Sequence, residues 1–310
     1  MPARPRTRAV REAASPSGVA AGRGLGRNAG APGWNERRSV RRARRADRRL
    51  WSADGSELAG KSKSRDARIA VEHNGQVATF VLVHGGWSGA HGWRVVRRML
   101  VEQGHEVFTP SLTGIGERVH LASPQVDLST HVADVVNQVL YEDLHGIVLV
   151  GYSYGGAVVT GALNHVGDRV RELVYLDAFV PSDGDTVASL SGRDRPTVLT
   201  LGAEWVVPPP ERTYDDPDEA RWQTQRRVPH PVRCFTEPVR LRTRLEDQSF
   251  GLTYIKATGD GRDAPGGNAF WDAAERAKAS DRWRYHEIAT NHMVPSNRPA
   301  ELVAVLASLA

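Results

Sequence analysis

The chain has 310 residues, with 41 Lys and Arg against 36 Asp and Glu, a formal net charge of +5 and a sequence pI near 9.6. Its single cysteine, Cys234, excludes an internal disulfide framework and a Cys-rich zinc site, and no apolar run approaches the ~18 residues of a bilayer-spanning helix. With 40% apolar residues there is material for a sizeable core, and the first thirty residues lack the apolar centre of a secretory signal. The basic balance is local. Residues 1–76 hold 18 Lys and Arg against 7 Asp and Glu, whereas residues 77–310 hold 23 against 29, so a +11 leader precedes a −6 body. The leader is rich in Arg, Ala, Gly and Pro, with little to bury against its ordering entropy, so residues 1–67 are expected to be a mobile extension. A transient basic helix fits residues 36–50. A solvated or wrongly started extension, an Arg-rich transit segment and an arm for nucleic acid or an anionic membrane all fit the composition. Only two aromatic residues, Trp34 and Trp51, stand among the leader's arginines, which counts against a nucleic-acid arm.

From residue 68 to 310 the texture is that of one folded domain. Residues 78–83 (ATFVLV) form a continuous apolar run, as in a strand buried on both faces, and residues 68–73 could pair with them through a turn at Asn74-Gly75. A helical pattern over 93–102 stops at Gly104, and a short strand over 106–109 is closed by Pro110. Val132, Val135, Val136, Val139 and Leu140 carry helical spacing through 130–143. Strand 147–150, helix 155–165 and strand 173–176 follow. The alternation pauses over about 181–244, a stretch rich in Pro, Thr, Asp and Arg, which reads as a cap inserted between two strand–helix units. It resumes with strand 252–257, helix 269–279, strand 284–288 and helix 299–309. Such alternation predicts an α/β fold with a mostly parallel sheet covered by helices on both faces.

The chemistry gathers at the strand ends. Gly151-Tyr152-Ser153-Tyr154-Gly155 fits G-x-S-x-G between a buried strand and an apolar helix, the context a nucleophile elbow requires. The turn would lift the Ser153 hydroxyl to the carboxyl edge of the sheet, beside the amides of the next helix's N-terminus. An incidental serine in a Gly-rich turn is the bland alternative. A serine needs a base, and His292 lies in the loop between the last strand and last helix, at the ligand-binding end of an open α/β sheet. Asn291 before it tolerates left-handed backbone and suits a tight turn. His84 ends the first strand and reads as bonded to backbone, while His131, His145 and His165 read as helical or helix-terminal. Two acids compete to orient His292: Asp177, ending an apolar strand, and Asp260, in the polar loop GDGRDAPGG. Asp177 is preferred narrowly, because an acid in apolar surroundings needs a buried partner. For the oxyanion, the His84-Gly85-Gly86-Trp87 turn offers the Gly86 amide, and the elbow offers that of Tyr154. Gly85, Trp87 and Tyr152 would line the substrate pocket, with Trp205 of the cap a further candidate.

Together FVLVHGGWSGAHGW, the GYSYGG elbow and His292 resemble α/β-hydrolases over residues 78–310. The segments SLTGIGERVHL, VYLDAFVP, VVPPP and RYHEI resemble small bacterial α/β-hydrolase-fold esterases, and there is a more distant likeness to plant methylesterases and hydroxynitrile lyases. In the plant group the catalytic acid maps to Asp260, whereas bacterial relatives often carry the one matching Asp177. The plant lyases place Thr at Gly85 and Lys at Met293, so those two positions resemble the esterase version. Tyr152 departs from the His that many relatives carry before the serine. The resemblance implies a serine hydrolase cleaving small carboxylic esters through Ser153, His292 and Asp177 or Asp260, with an acyl-enzyme. A hydroxynitrile or C–C lyase and a non-catalytic ligand-binding protein are the alternatives on this scaffold. No metal or organic cofactor is implied, since HExxH, Cys clusters and dinucleotide fingerprints are missing. The expected partner is a small-molecule ester in the cytoplasm. No nucleic acid is expected for the acidic body and no membrane, and the sequence carries no signal of oligomeric state.

Overall fold

A computed structural model describes residues 77–192 and 205–310, all within the unit Ile69–Ala310. The leader, its helix over 36–50, the strand over 68–73 and residues 193–204 of the expected cap lie outside the described residues. In chain order the elements are β1 (Thr79–Val83), α1 (Arg94–Glu102), β2 (Glu106–Phe108), α2 (Leu128–Tyr141), β3 (Ile147–Tyr152), α3 (Gly155–Val166) and β4 (Val170–Leu176). Between β4 and the next sheet strand come α4 (Val187–Leu190), β5 (Val206–Val207), α5 (Pro217–Thr224), β6 (His230–Pro231) and α6 (Arg233–Thr236). The chain then continues through β7 (Gly251–Ala257), α7 (Gly267–Lys278), β8 (Trp283–Ile288), α8 (Val294–Asn297) and α9 (Pro299–Ala307).

Six strands form one sheet in the order β2-β1-β3-β4-β7-β8, every neighbouring pair parallel. Strand alternation divides the core into two layers. Val81, Leu149, Leu173, Tyr175 and Leu252 face α2, α3 and α7, while Phe80, Val148, Val174, Leu176 and Ile255 face α1 and α9. β3 is buried along its whole length, which is why it reads as an unbroken apolar run. The predicted strands and helices fall where expected, with end shifts of a few residues. α2 starts two residues earlier than its apolar spacing implied, because Asp127 caps it in a reciprocal box with Thr130.

The parallel order brings the carboxyl ends of β1, β3, β4, β7 and β8 to one edge. The turns that leave these strands carry the residues singled out above. The segment between β4 and β7 lies near this edge: Val228 N–H donates to Trp87 O (3.1 Å), and the Trp87 indole donates to Val207 O (2.9 Å). Among the described residues no helix is long and apolar enough to cross a membrane.

Candidate active site

Ser153 sits immediately after β3 with φ at +56°, the strained backbone a nucleophile elbow imposes. The turn closes because its neighbours lack side chains. A Cβ on Gly155 would come within 2.7 Å of Val83 O, and one on Gly156 within 2.2 Å of Phe179 O. The amide of Ser153 donates to Leu176 O (3.2 Å), which ties the elbow to the end of β4.

His292 Nε2 lies 2.9 Å from Ser153 Oγ, and its Nδ1 lies 2.7 Å from Asp177 Oδ2. All three residues are buried. Asp177 leaves β4 with φ at +40°, its amide donating to Ile255 O (2.8 Å), a geometry that turns the carboxylate toward the imidazole. Asp260 has another partner: its Oδ2 accepts the backbone amide of His292 (2.8 Å). The two carboxylates therefore hold the same residue by different ends. Asn291 does not take left-handed backbone; its side chain makes the turn instead, Oδ1 accepting Met293 N–H (2.9 Å). The imidazole is sandwiched between Phe270, parallel at 5.1 Å, and Tyr152 at 5.0 Å, whose hydroxyl donates to His292 O (2.7 Å).

Burial lowers the proton affinity of His292, and the nearby Arg212 charge adds to this, against the opposing pull of Asp177. The imidazole is thus neutral near pH 7 and able to accept a proton. For Asp177, burial works toward protonation, but the hydrogen bond and charge of His292 and the charge of Lys256 outweigh it and keep the carboxyl ionised. Lys256 escaped the sequence reading. It is 1% exposed on β7, and its Nζ donates to Asp177 Oδ1 (2.7 Å) while lying 4.4 Å over the Trp271 ring. A single charge inside the run LTYIKA was the available signal.

The His84-Gly85-Gly86-Trp87 turn lies against the elbow. A Cβ on Gly85 would stand 3.0 Å from Ser153 Cβ, and one on Gly86 would stand 3.6 Å from Tyr154 Cβ. Among the described residues, neither the Gly86 nor the Tyr154 amide has a backbone acceptor. His84 bonds as expected: Nδ1 donates to Gly85 O (2.9 Å) and Nε2 accepts Leu112 N–H (3.1 Å). His230, on β6, accepts the Trp87 amide through Nδ1 (3.3 Å) and is fully buried against Tyr154 and Phe235. His131 pairs with the Tyr154 hydroxyl (2.9 Å), while His145 and His165 lie outside the site.

Two cavities meet at Ser153. One, of about 40 Å³, includes His292, Tyr152, Gly85, Arg212 and Arg227; the other, of about 190 Å³, includes Phe179, Val187, Phe235 and Phe270. Trp87 and Arg212 border both, and Trp205 borders neither. Residues 80–305 match the model of the Alpha/beta hydrolase family.

The chain belongs to that family. It is similar to the carbendazim hydrolyzing esterase of Nocardioides sp. (strain SG-4G), 32% identical over 247 residues, which are 75% of this chain and 100% of that protein. Similarity to the alpha-hydroxynitrile lyase of Arabidopsis thaliana is 30% over 108 residues, 33% of this chain and 40% of the lyase. The crystal structure of a methylesterase from Arabidopsis has the same fold, with a TM-score of 0.60 at 24% identity, covering 75% of this chain and 98% of that one. The chain is accordingly an α/β-fold hydrolase, of the bacterial esterase-like kind expected from its motifs.

Proposed function

We propose that the protein hydrolyses carboxylic esters of small molecules through a Ser153–His292–Asp177 triad. The observation that carries this reading is the continuous hydrogen-bonded line from Ser153 Oγ to His292 Nε2 and from Nδ1 to Asp177 Oδ2. Ser153 Oγ attacks the ester carbonyl as His292 takes its proton, and the Gly86 and Tyr154 amides receive the oxyanion. His292 then passes the proton to the departing alkoxide. A water molecule, deprotonated by the same imidazole, releases the acid from Ser153. Asp177 holds the tautomer and stabilises the imidazolium, and Asp260 fixes the backbone that carries the ring. Nothing in this sequence of steps draws on a metal or an organic cofactor.

The relatives' esterase activity supports the reaction class. A cyanohydrin lyase is less well served, because Gly85 offers no hydroxyl opposite Ser153 and Met293 no cation beside His292. The test combines fluorophosphonate labelling with a panel of short esters. Wild type should label and turn over, and Ser153→Ala should do neither. Asp177→Asn should lose about four orders of magnitude in rate, as removal of a triad acid does in serine proteases. Asp260→Asn, which keeps an acceptor oxygen for the His292 amide, should lose far less. Full activity in Asp177→Asn would sink the assignment of the acid, and full activity in Ser153→Ala the mechanism.

A further inference from the structure

The two cavities differ in character, and the difference assigns the two halves of the substrate. The larger one is walled by Phe179, Val187, Phe235 and Phe270. The smaller one carries two guanidinium groups, Arg227 and Arg212, the second of which borders the larger cavity as well, together with Tyr214 and Gln223. Among the described residues the Arg212 guanidinium has no hydrogen-bond or ion-pair partner, and the Arg227 guanidinium donates only to the carbonyl of Pro210 (2.5 Å). No carboxylate among the described residues lines the smaller cavity. Glu219 pairs with Arg94 and accepts from Gln223, Asp177 is shared by His292 and Lys256, and Asp260 holds the His292 amide. Two like charges facing one cavity repel each other, and an anion between them turns that repulsion into attraction.

His292 borders the smaller cavity and is absent from the lining of the larger. The imidazole must hand its proton to the leaving oxygen, so the alcohol half of an ester belongs on the arginine side. Building on the esterase reading, we infer that the smaller cavity is a carboxylate subsite. The substrate class is then an ester that joins an apolar acyl group to a short hydroxy acid. The chemistry balances as simple hydrolysis. The acyl carbon–oxygen bond breaks, the alkoxide of the hydroxy acid takes the proton from His292, and the carboxylate leaves ionised as it arrived. Water supplies the oxygen of the released fatty acid and restores Ser153.

The test uses the full-length protein and a matched pair, hexanoyl glycolate and hexanoyl glycolamide, followed by acid release at constant pH. The pair differs in the charge of the leaving group and hardly in its size. A charge-assisted bidentate contact should favour the glycolate ester about ten-fold or more in kcat/KM. Arg212→Met should bring the ratio close to one, and because the ratio is taken within one preparation, any general loss of activity cancels. An independent measurement on wild type alone is product inhibition: sodium glycolate should compete with hydrolysis of the neutral ester, and glycolamide at the same concentration should not. A wild-type ratio near one, a ratio undiminished in Arg212→Met, or equal inhibition by both products overturns the subsite. If the neutral ester is still hydrolysed and Ser153 still labels, the esterase reading survives that result. If neither ester turns over and Ser153 does not label, the esterase reading falls and takes the subsite with it.

Discussion

A buried lysine shares the Asp177 carboxylate with His292, Lys256 on Oδ1 and the imidazole on Oδ2. In the proposed mechanism this arrangement sets the base as well as holding it. The Lys256 charge offsets part of the negative field that Asp177 presents to the imidazole, so an imidazolium gains less from its acid than it would from an unshared carboxylate. Lys256→Met keeps an apolar stem over Trp271 and removes the cation. The proton affinity of His292 then rises, and the acid limb of kcat/KM moves to higher pH, since only the neutral imidazole can take the serine proton. Stability should fall as well, on the order of 3 kcal/mol, because a buried carboxylate has lost a partner. The two readouts separate a positioning role from a merely structural one. A limb that stays in place while the urea midpoint drops would make Lys256 a structural residue only.

At the scale of elements, the site depends on how closely the β3–α3 turn can approach the ends of β1 and β4. A methyl group on Gly156 would lie 2.2 Å from Phe179 O and 3.0 Å from Ala178 Cβ, with backbone on the near side and no flexible tip to move. Gly156→Ala should therefore cost at least the 1–3 kcal/mol typical of overpacking and displace Ser153 from His292. Melting temperature and fluorophosphonate labelling should drop together; a variant that melts as wild type and labels at the wild-type rate would show that the turn has slack. This geometry is also why so much could be read from the sequence. A strand buried on both faces, a glycine-bracketed serine and an apolar helix form a local pattern, and His292 occupies the last loop at the same sheet edge. The acid was ambiguous for a physical reason. Asp177 and Asp260 both follow strands that end beside His292, and which reaches the ring depends on the backbone turn at Asp177, with φ at +40°, which residue type does not report. Lys256 and His230 bond to partners distant in sequence, the Asp177 carboxylate and the Trp87 amide. The two-residue strands β5 and β6 are too short to leave a periodicity.

Across the whole molecule, the buried histidines tie the fold to pH. His84 and His131 are pushed down to about 4 by burial, and burial carries His230 well below the ordinary imidazole value. In the unfolded chain each would titrate near 6.5. The depressed folded values mean that the unfolded chain binds more protons than the folded one between about pH 6.5 and 4. Stability is therefore complete above that window and declines as pH falls through it, and below it His84 and His131 take nothing further. His84 shows the cause in its bonding. Nε2 accepts Leu112 N–H, so protonation there would set two donors against each other inside the core. Each such group contributes up to ~1.4 kcal/mol per pH unit, so urea unfolding at pH 5 should report a stability several kcal/mol below that at pH 7.5. His84→Asn removes one of them. It should lower stability at pH 7.5, where the native hydrogen bonds are lost, yet flatten the slope between pH 5 and 6.5 by about one proton's worth. An unchanged slope would show that His84 takes up its proton without disturbing the fold, and the acid sensitivity would then belong to His131 and His230.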